Sequence, residues 1–301
     1  MARSLIVIGS DMKGLGHAHP PLREIRAIVQ RALDEDIAWG DVTTDNSVPA
    51  DQRSRATLLV KQDGVLCGVH VFAETLALVD PAVTIDIALP DGSNISRGSV
   101  PARIEGPTRA LLTAERTALN FVQRLSGIAT MTAAFAERLG GLSTRLVDTR
   151  KTTPGLRVLE KYAVRVGGGH NHRFNLADAV LLKDNHLAAL KSRGLDLAEA
   201  IRTIKQRVPH TMKVEVEVTS VDQIDAALAG GADIILLDNM SNDAMRESVR
   251  RIGGRALTEC SGNVTLETVR ERAETGVDLI SSGALTHSAK ALDISLEIEI
   301  D

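Results

Sequence analysis

The residues best suited to chemistry lie between Arg145 and His186. Arg150, Lys151, Arg173 and Lys183 occur there with His170, His172 and His186. This stretch holds eight Lys/Arg against four Asp/Glu, in a chain that has 35 against 39 overall. Arginine presents a planar fork that matches a carboxylate or phosphate, and lysine a compact charge. Such a set fits a small, multiply charged anion. A metal site made from His170, His172 and His186 is the weaker reading, because the four cations around it oppose a divalent ion and no Cys or Glu completes it. Further on, Glu217 and Asp238 each end a short apolar run. Two carboxylates on one rim accept hydrogen bonds from ribose hydroxyls, hold Mg²⁺ through its waters, or stabilise positive charge on a sugar ring. Glu215 shares strand parity with Glu217, so both can face inward. Glu217 is nearer the rim and is the chosen member. Last come Ser261-Gly262-Asn263, Ser282-Gly283 and His287. Glycines there would let a phosphate approach backbone N–H groups.

Two kinds of structure must position these groups. Residues 22–34 place Leu22, Ile25, Ile28, Val29 and Leu33 on one helical stripe behind Pro21. Strands are expected at 56–60 and 64–67, joined as a hairpin around Gln62-Asp63-Gly64, and again at 83–88 and 100–105. Helices are expected at 70–79 and, capped by Thr108, at 108–125. This first half reads as an α+β unit. After Gly127 short apolar strands alternate with helices, at 146–147, 179–182, 214–218, 234–237, 257–260 and 279–281. Nearly every strand ends in a polar or ionisable group. A βα-barrel brings all strand C-termini to one rim, whereas an open doubly wound sheet does so only at a switch point. The regular chemistry at six strand ends favours the barrel.

Bulk composition excludes several classes. Hydrophobic residues make up 44% and charged residues 25%, ordinary globular values. Two cysteines imply no disulfide framework, which makes the cytoplasm the expected compartment. No apolar run reaches the length of a membrane span, and Leu5–Ile8 is too short for a signal-peptide core. A net charge of −4 and 2% aromatics argue against nucleic acid as a partner. Residues 1–21 read as a loosely ordered extension, with an added edge strand as the alternative.

The run DTRKTTPGLRVLEKYAVRVGGGHNHRFNLADAVLLKDNHL at 148–187 resembles the central signature of the quinolinate phosphoribosyltransferases. The likeness extends to EGPTRALLTAERTALNFVQRLSGIAT at 105–130, VEVEV at 214–218, LLDNM at 236–240, SGN at 261–263 and SGALTHS at 282–288, and EDIAWGDVTT at 35–44 also fits. It covers about residues 22–298. The resemblance implies an α/β fold: an N-terminal α/β sandwich over 22–126, an incomplete TIM-like βα-barrel over 127–287, and residues 288–301 returning to the first domain. It implies quinolinate and phosphoribosyl pyrophosphate (PRPP) as substrates, Mg²⁺ bound with PRPP, and a homodimer with shared active sites. It implies that Arg116 is donated across the dimer, and that Arg150, His172, Arg173 and Lys183 bind the quinolinate carboxylates. Lys151 and Lys183 would lie beside pyrophosphate and substrate. Glu217 and Asp238 would serve the ribose and Mg²⁺, and Ser261, Gly262, Gly283 and His287 the 5′-phosphate. Two positions depart from the pattern: Cys260 stands where Ser or Ala is frequent, and Asn263 where Gly is common. Two further readings rank below: a molybdenum-associated paralogue of the same fold, and a non-catalytic anion-binding barrel.

Overall fold

The structure is a computed structural model that describes residues 7–8 and 19–300. The chain divides into two compact units. The first takes the chain up to Ala133 together with Thr153–Gly168 and the segment from Ser288 onward; the second comprises Ala134–Thr152 and Gly169–His287. The sequence reading keeps residues 127–287 together, whereas 153–168 pack with the first unit.

The first unit contains β1 (Val7–Ile8), β2 (Arg53–Val60), β3 (Gly64–Val65), β4 (Thr84–Ile87), β5 (Asn94–Ile95), β6 (Ala102–Pro107) and β13 (Ile294–Ile300). Its helices are α1 (Leu22–Ile37), α2 (Val42–Ser47), α3 (Val69–Val79), most of α4 (Thr108–Arg138), and α5 (Arg157–Val166). A five-stranded sheet runs β1-β4-β6-β2-β13. Strand β2 alternates strictly, burying Ser54, Ala56, Leu58 and Val60. The apolar members of that face meet Phe72 and Leu76 of α3 and Leu111, Ala118, Leu119 and Val122 of α4 in one cluster. Each such Leu, Val or Phe contributes roughly 1.5–3 kcal/mol on burial.

Two expectations need correction in this unit. The hairpin at 56–67 does not form: β2 pairs with β6 and β13, while β3 pairs with β5. The long helix continues to Arg138 rather than ending near Leu125. Gly127, after which the sequence pattern changes, lies inside that helix and serves close packing, since a Cβ there would lie 1.9 Å from the Lys290 carbonyl oxygen. Val7–Ile8 of the expected extension pairs in parallel with Asp86–Ile87 as an edge strand. The remaining positions 1–6 and 9–18 lie outside the described residues.

The second unit carries β7 (Arg145–Val147), β8 (Val180–Leu182), β9 (Val214–Val218), β10 (Ile234–Asp238), β11 (Leu257–Ser261) and β12 (Leu279–Ser281). Between them run α6 (Asp184–Lys191), α7 (Leu197–Arg207), α8 (Ile224–Gly230), α9 (Asn242–Ile252), α10 (Val269–Ala273) and α11 (Ala284–His287). All six strands are parallel, in the order β7-β12-β11-β10-β9-β8. From β8 to β12 neighbours in sequence are neighbours in the sheet, and the last strand pairs back onto the first. An open doubly wound sheet lacks that return. Among the described residues no strand pairing joins β7 to β8; only a bridge between Val147 and His170 stands beside that gap. The result is an incomplete barrel.

Side chains alternate across the barrel wall. Val214, Val216 and Val218 of β9 are fully buried on one face, and Ile235 and Leu237 of β10 match them. The opposite parity carries Glu215 and Glu217 on β9, Leu236 and Asp238 on β10, and Glu259 and Ser261 on β11. Register pairs Leu236 with both Glu217 and Glu259, and Asp238 with Ser261. The inner face is therefore layered, with Asp238 and Ser261 at the rim, Glu217 and Glu259 below, and Glu215 deepest.

Candidate active site

A cleft of about 690 Å³ opens at the C-terminal ends of the barrel strands. Arg150, Lys151, His172, Arg173, Lys183, Glu217, Asp238, Ser261, Gly262, Gly283 and His287 all line it. Eleven of the twelve residues to which the resemblance gives a role thus meet in one place. The twelfth, Arg116, is exposed on α4 in the first unit and does not belong to this lining. The other two histidines of the basic stretch are absent from the lining too. His186 Nδ1 accepts the Lys183 backbone N–H at 3.0 Å and caps α6. His170 pairs through its backbone with β7.

The cationic side is short of anions. Arg150 Nε is buried without a hydrogen-bond partner. Arg173 donates to the Ala179 carbonyl at 3.1 Å. Burial, and then the charge of Arg150, holds the Arg173 guanidinium below its ordinary range. Two guanidiniums that disfavour each other in a partly desolvated wall lack a bidentate anion. Lys183 Nζ has one carboxylate partner, Glu217 Oε2 at 3.1 Å. Lys151 is held by its neighbours: the Thr286 hydroxyl donates to its carbonyl at 2.8 Å, and its side chain lies so close over Gly283 that a Cβ there would come within 2.7 Å of Lys151 Cδ.

Asp148, fully buried, organises the next loop by accepting the Asn171 amide at 2.7 Å and the His172 backbone N–H at 2.9 Å. The loop thereby turns His172 toward the barrel interior. Its Nε2 lies 3.1 Å from Glu215 and 3.4 Å from Glu259. Burial opposes an imidazolium, but the ring's hydrogen bonding and charge attraction to Glu215 and Glu259 outweigh it and raise the His172 pKa to about 10. A backbone contact pulls the other way: the Arg173 N–H donates to Nδ1 at 2.7 Å, which requires a bare nitrogen. The acidic partners at Nε2 favour the charged ring, and the Nδ1 contact opposes it. Burial pushes the Glu215 carboxyl up, and the nearby Glu259 adds to this. The histidine-only metal site does not form, since His172 shares its place with two glutamates instead.

The carboxylate and loop side is more open. Asp238 Oδ2 accepts the Asn239 amide at 2.8 Å. Gly262 has φ +92° and Asn263 φ +50°. Thr149, Asn239, Glu259 and Thr265, to which sequence reasoning gave no role, also line the cleft. Glu259 was legible, because it sits two residues before Ser261 and so faces the same way. Another cavity of about 700 Å³ lies at the opposite strand ends, lined by Lys213, Asp225, Asp233, Arg255 and Asp278 among others. Its acids already have partners: Lys205 and Lys213 on Asp233, Arg251 on Asp225, and Thr258 on Asp278. It offers an anion little.

The family models agree with this geometry. That for the C-terminal domain of quinolinate phosphoribosyl transferase matches residues 128–297, and that for the N-terminal domain residues 41–126. The chain is 41% identical over 277 residues to a probable nicotinate-nucleotide pyrophosphorylase [carboxylating] of Bacillus subtilis, covering 92% of this chain and 94% of that one. It is 42% identical to the nicotinate-nucleotide pyrophosphorylase [carboxylating] of Mycobacterium leprae, covering 91% and 96%. Among solved structures, NadC from Streptococcus pyogenes superposes with a TM-score of 0.89 at 43% identity, covering 94% of this chain and 99% of that one. The chain belongs to the quinolinate phosphoribosyltransferase family.

Proposed function

We propose that this chain transfers the phosphoribosyl group of PRPP to quinolinate, releasing pyrophosphate and carbon dioxide and leaving nicotinate mononucleotide. The observation that carries this reading is the crowded pair Arg150 and Arg173, without a carboxylate partner among the described residues, in the same cleft as Glu217, Asp238 and two glycine-bearing loops. One side suits a pyridine dicarboxylate, the other a sugar phosphate.

In this reading Arg150, Arg173, Lys183 and the charged His172 take the two carboxylates and aim the ring nitrogen at the anomeric carbon. The nitrogen's lone pair forms the C–N bond as the C–O bond to pyrophosphate breaks, and Lys151 accompanies the departing charge. The sugar passes through an oxocarbenium-like state, which Glu217 and Asp238 stabilise as fixed charges. The positive charge on the ring nitrogen, now quaternary, stabilises the electron pair left on the adjacent carbon when its carboxylate departs as carbon dioxide. A proton then replaces it on carbon. No side chain is needed as general base for the first step, because the attacking nitrogen carries no proton. Ser261, Gly262, Gly283 and His287 hold the 5′-phosphate.

Mg²⁺ fits the donor set. Glu217 and Asp238 end adjacent strands, and each has one oxygen engaged, Oε2 by Lys183 and Oδ2 by Asn239. These two would hold the ion directly or through water, and it would supply charge neutralisation for the pyrophosphate. A homodimer completes the reading, with Arg116 of one copy serving the cleft of the other. Its support is the exposed position of Arg116 on α4.

The deciding assay is carbon dioxide release from carboxyl-labelled quinolinate with and without PRPP. Release only with PRPP is expected. Nicotinate lacks the second carboxylate and would leave a buried cation unpaired, at a cost of about 2–5 kcal/mol. Equal turnover of the two would overturn the assignment. For the dimer, Arg116→Ala and Arg150→Ala should each be nearly inactive alone and recover part of the activity when mixed. No recovery after verified subunit exchange counts against sharing.

A further inference from the structure

The turns after β10 and β11 share an unusual construction. Asn239 follows β10 at φ +52°, and Asn263 follows β11 at φ +50°. Non-glycine residues seldom take this left-handed conformation, and asparagine tolerates it best. Strained positions of this kind gather at ligand sites when their surroundings hold them. Here the two side chains hold each other. Asn239 Nδ2 donates to Asp238 Oδ2 at 2.8 Å. Asn263 Nδ2 donates to Asn239 Oδ1 at 3.3 Å. The orientation of the Asn239 amide follows from chemistry, because an ionised Asp238 only accepts and must face the NH₂ end. The oxygen end is thereby left for Asn263. The Asn239 backbone N–H also donates to the Ser261 carbonyl at 3.1 Å. Between the two asparagines sits Gly262, where a Cβ would come within 2.1 Å of Asn239 Oδ1.

We propose that Asn239 is a positioning residue for the phosphoribosyl half of the cleft, tying Asp238 to the Ser261–Asn263 loop through Asn263. Asp238 and the loop then move as one body, with the Asp238 carboxylate rotamer fixed before the sugar phosphate arrives. Nothing on the cationic side of the cleft is touched by this link, so it acts on PRPP and leaves quinolinate recognition alone. The inference rests on the proposed function only for the name of the sugar phosphate.

Asn239→Gly and Asn263→Gly test it. Glycine accepts φ near +50° without strain, so both variants keep the backbone and lose only the amide. Removing one neutral hydrogen bond corresponds to about a fivefold change in affinity. For Asn263→Gly the dissociation constant and KM for PRPP should rise about fivefold, with the quinolinate KM within about twofold of wild type. Asn239→Gly loses both amide contacts and should give about twenty-fivefold. The melting temperature of each variant should stay level or rise, since left-handed strain is relieved. Asn239→Asp keeps the shape but sets a second carboxylate beside Asp238, and should weaken PRPP at least as much as Asn239→Gly. Unchanged PRPP binding in both glycine variants overturns the proposal. So does an equal rise in both Michaelis constants, or a fall in melting temperature as the sole effect. PRPP binding by calorimetry is read separately from turnover. A wild-type protein that binds PRPP but releases no carbon dioxide from quinolinate sinks the functional reading and leaves this test intact.

Discussion

Replacing Gly262 by alanine probes the loop side most directly. Two costs arise, and they can be separated. The backbone at φ +92° disfavours any L side chain by about 1–2 kcal/mol. The lower entropy of the unfolded alanine chain offsets about 0.4–1 kcal/mol of that. The net, about 1 kcal/mol, lowers the melting temperature by about 2–4 °C in a chain of this size. The second cost is steric. The new Cβ would stand 2.1 Å from Asn239 Oδ1 and 2.6 Å from its Cγ. Contact distance is about 3.5 Å, so the amide must swing away. It then gives up its bonds to Asp238 and Asn263, about 1 kcal/mol each. Lost preorganisation of about 2 kcal/mol corresponds to a rise of about thirtyfold in the PRPP dissociation constant. Gly254→Ala is the control. Gly254 has φ +75°, no atom lies within 4 Å of where its methyl group would sit, and it belongs to the opposite strand ends. The control should show a similar loss of melting temperature with ordinary PRPP binding. Calorimetric titration and thermal melts decide the matter. If Gly262→Ala binds PRPP like Gly254→Ala, the steric argument is wrong.

Three further outcomes follow from the contacts. Lys183→Met leaves Glu217 without its 3.1 Å partner and removes a cation from the quinolinate side; kcat/KM for quinolinate should fall by tens to thousands, from about 2–5 kcal/mol, and an unchanged value in steady-state assays refutes the role. Glu160 is fully buried and accepts from Arg124 Nε and Nη2 and from the Thr153 N–H and hydroxyl. Glu160→Gln removes the charge that Arg124 and Thr153 share, at a cost of about 1.5–3 kcal/mol, so thermal melting should drop by about 5 °C. Asp41 caps α2 by accepting the Thr44 N–H at 3.0 Å, and its second oxygen takes the Thr113 hydroxyl. The Thr44 bonds hold its carboxyl below the usual range, so its stabilisation is present above about pH 4 and disappears as pH falls through the lowered value. Asp41→Asn should keep most of the cap while flattening that acid dependence, and Asp41→Ala should cost about 1 kcal/mol in urea melts at neutral pH.

The sequence revealed the site better than the scaffold around it. Strand parity and the polar residue ending each strand need only local information, and these brought Glu217, Asp238 and Ser261 to one rim. Asp148 also ends a strand, but it is buried and serves the loop at 170–172, a role that depends on which backbone donors come near. The basic stretch was legible only in part. Arg150, Lys151, Arg173 and Lys183 reach the cleft, whereas Arg157, Lys161 and Arg165 lie in residues 153–168, which pack with the first unit. Lys161 is 2% exposed there, and nothing in its neighbours' sequence signals such burial. The packing role of Gly127 was hidden in the same way, because it lies in a contact with Lys290, far along the chain. The hairpin at 56–67 failed because β2 found partners in β6 and β13, the second of which is separated from it by more than the whole barrel.

That pairing of β13 with β2 affects how the protein can be made. The first unit's sheet is interrupted in sequence by the barrel, and the flank of Arg53–Val60 that receives Ile294–Ile300 must wait for the ribosome to pass Ser288. Until then a seven-residue ladder of amide and carbonyl groups has no mate, the condition that invites intermolecular strand exchange. The N-terminal sheet therefore acquires its outer member only after the whole barrel has been synthesised. Cutting the gene between the two halves cannot yield an intact N-terminal fragment.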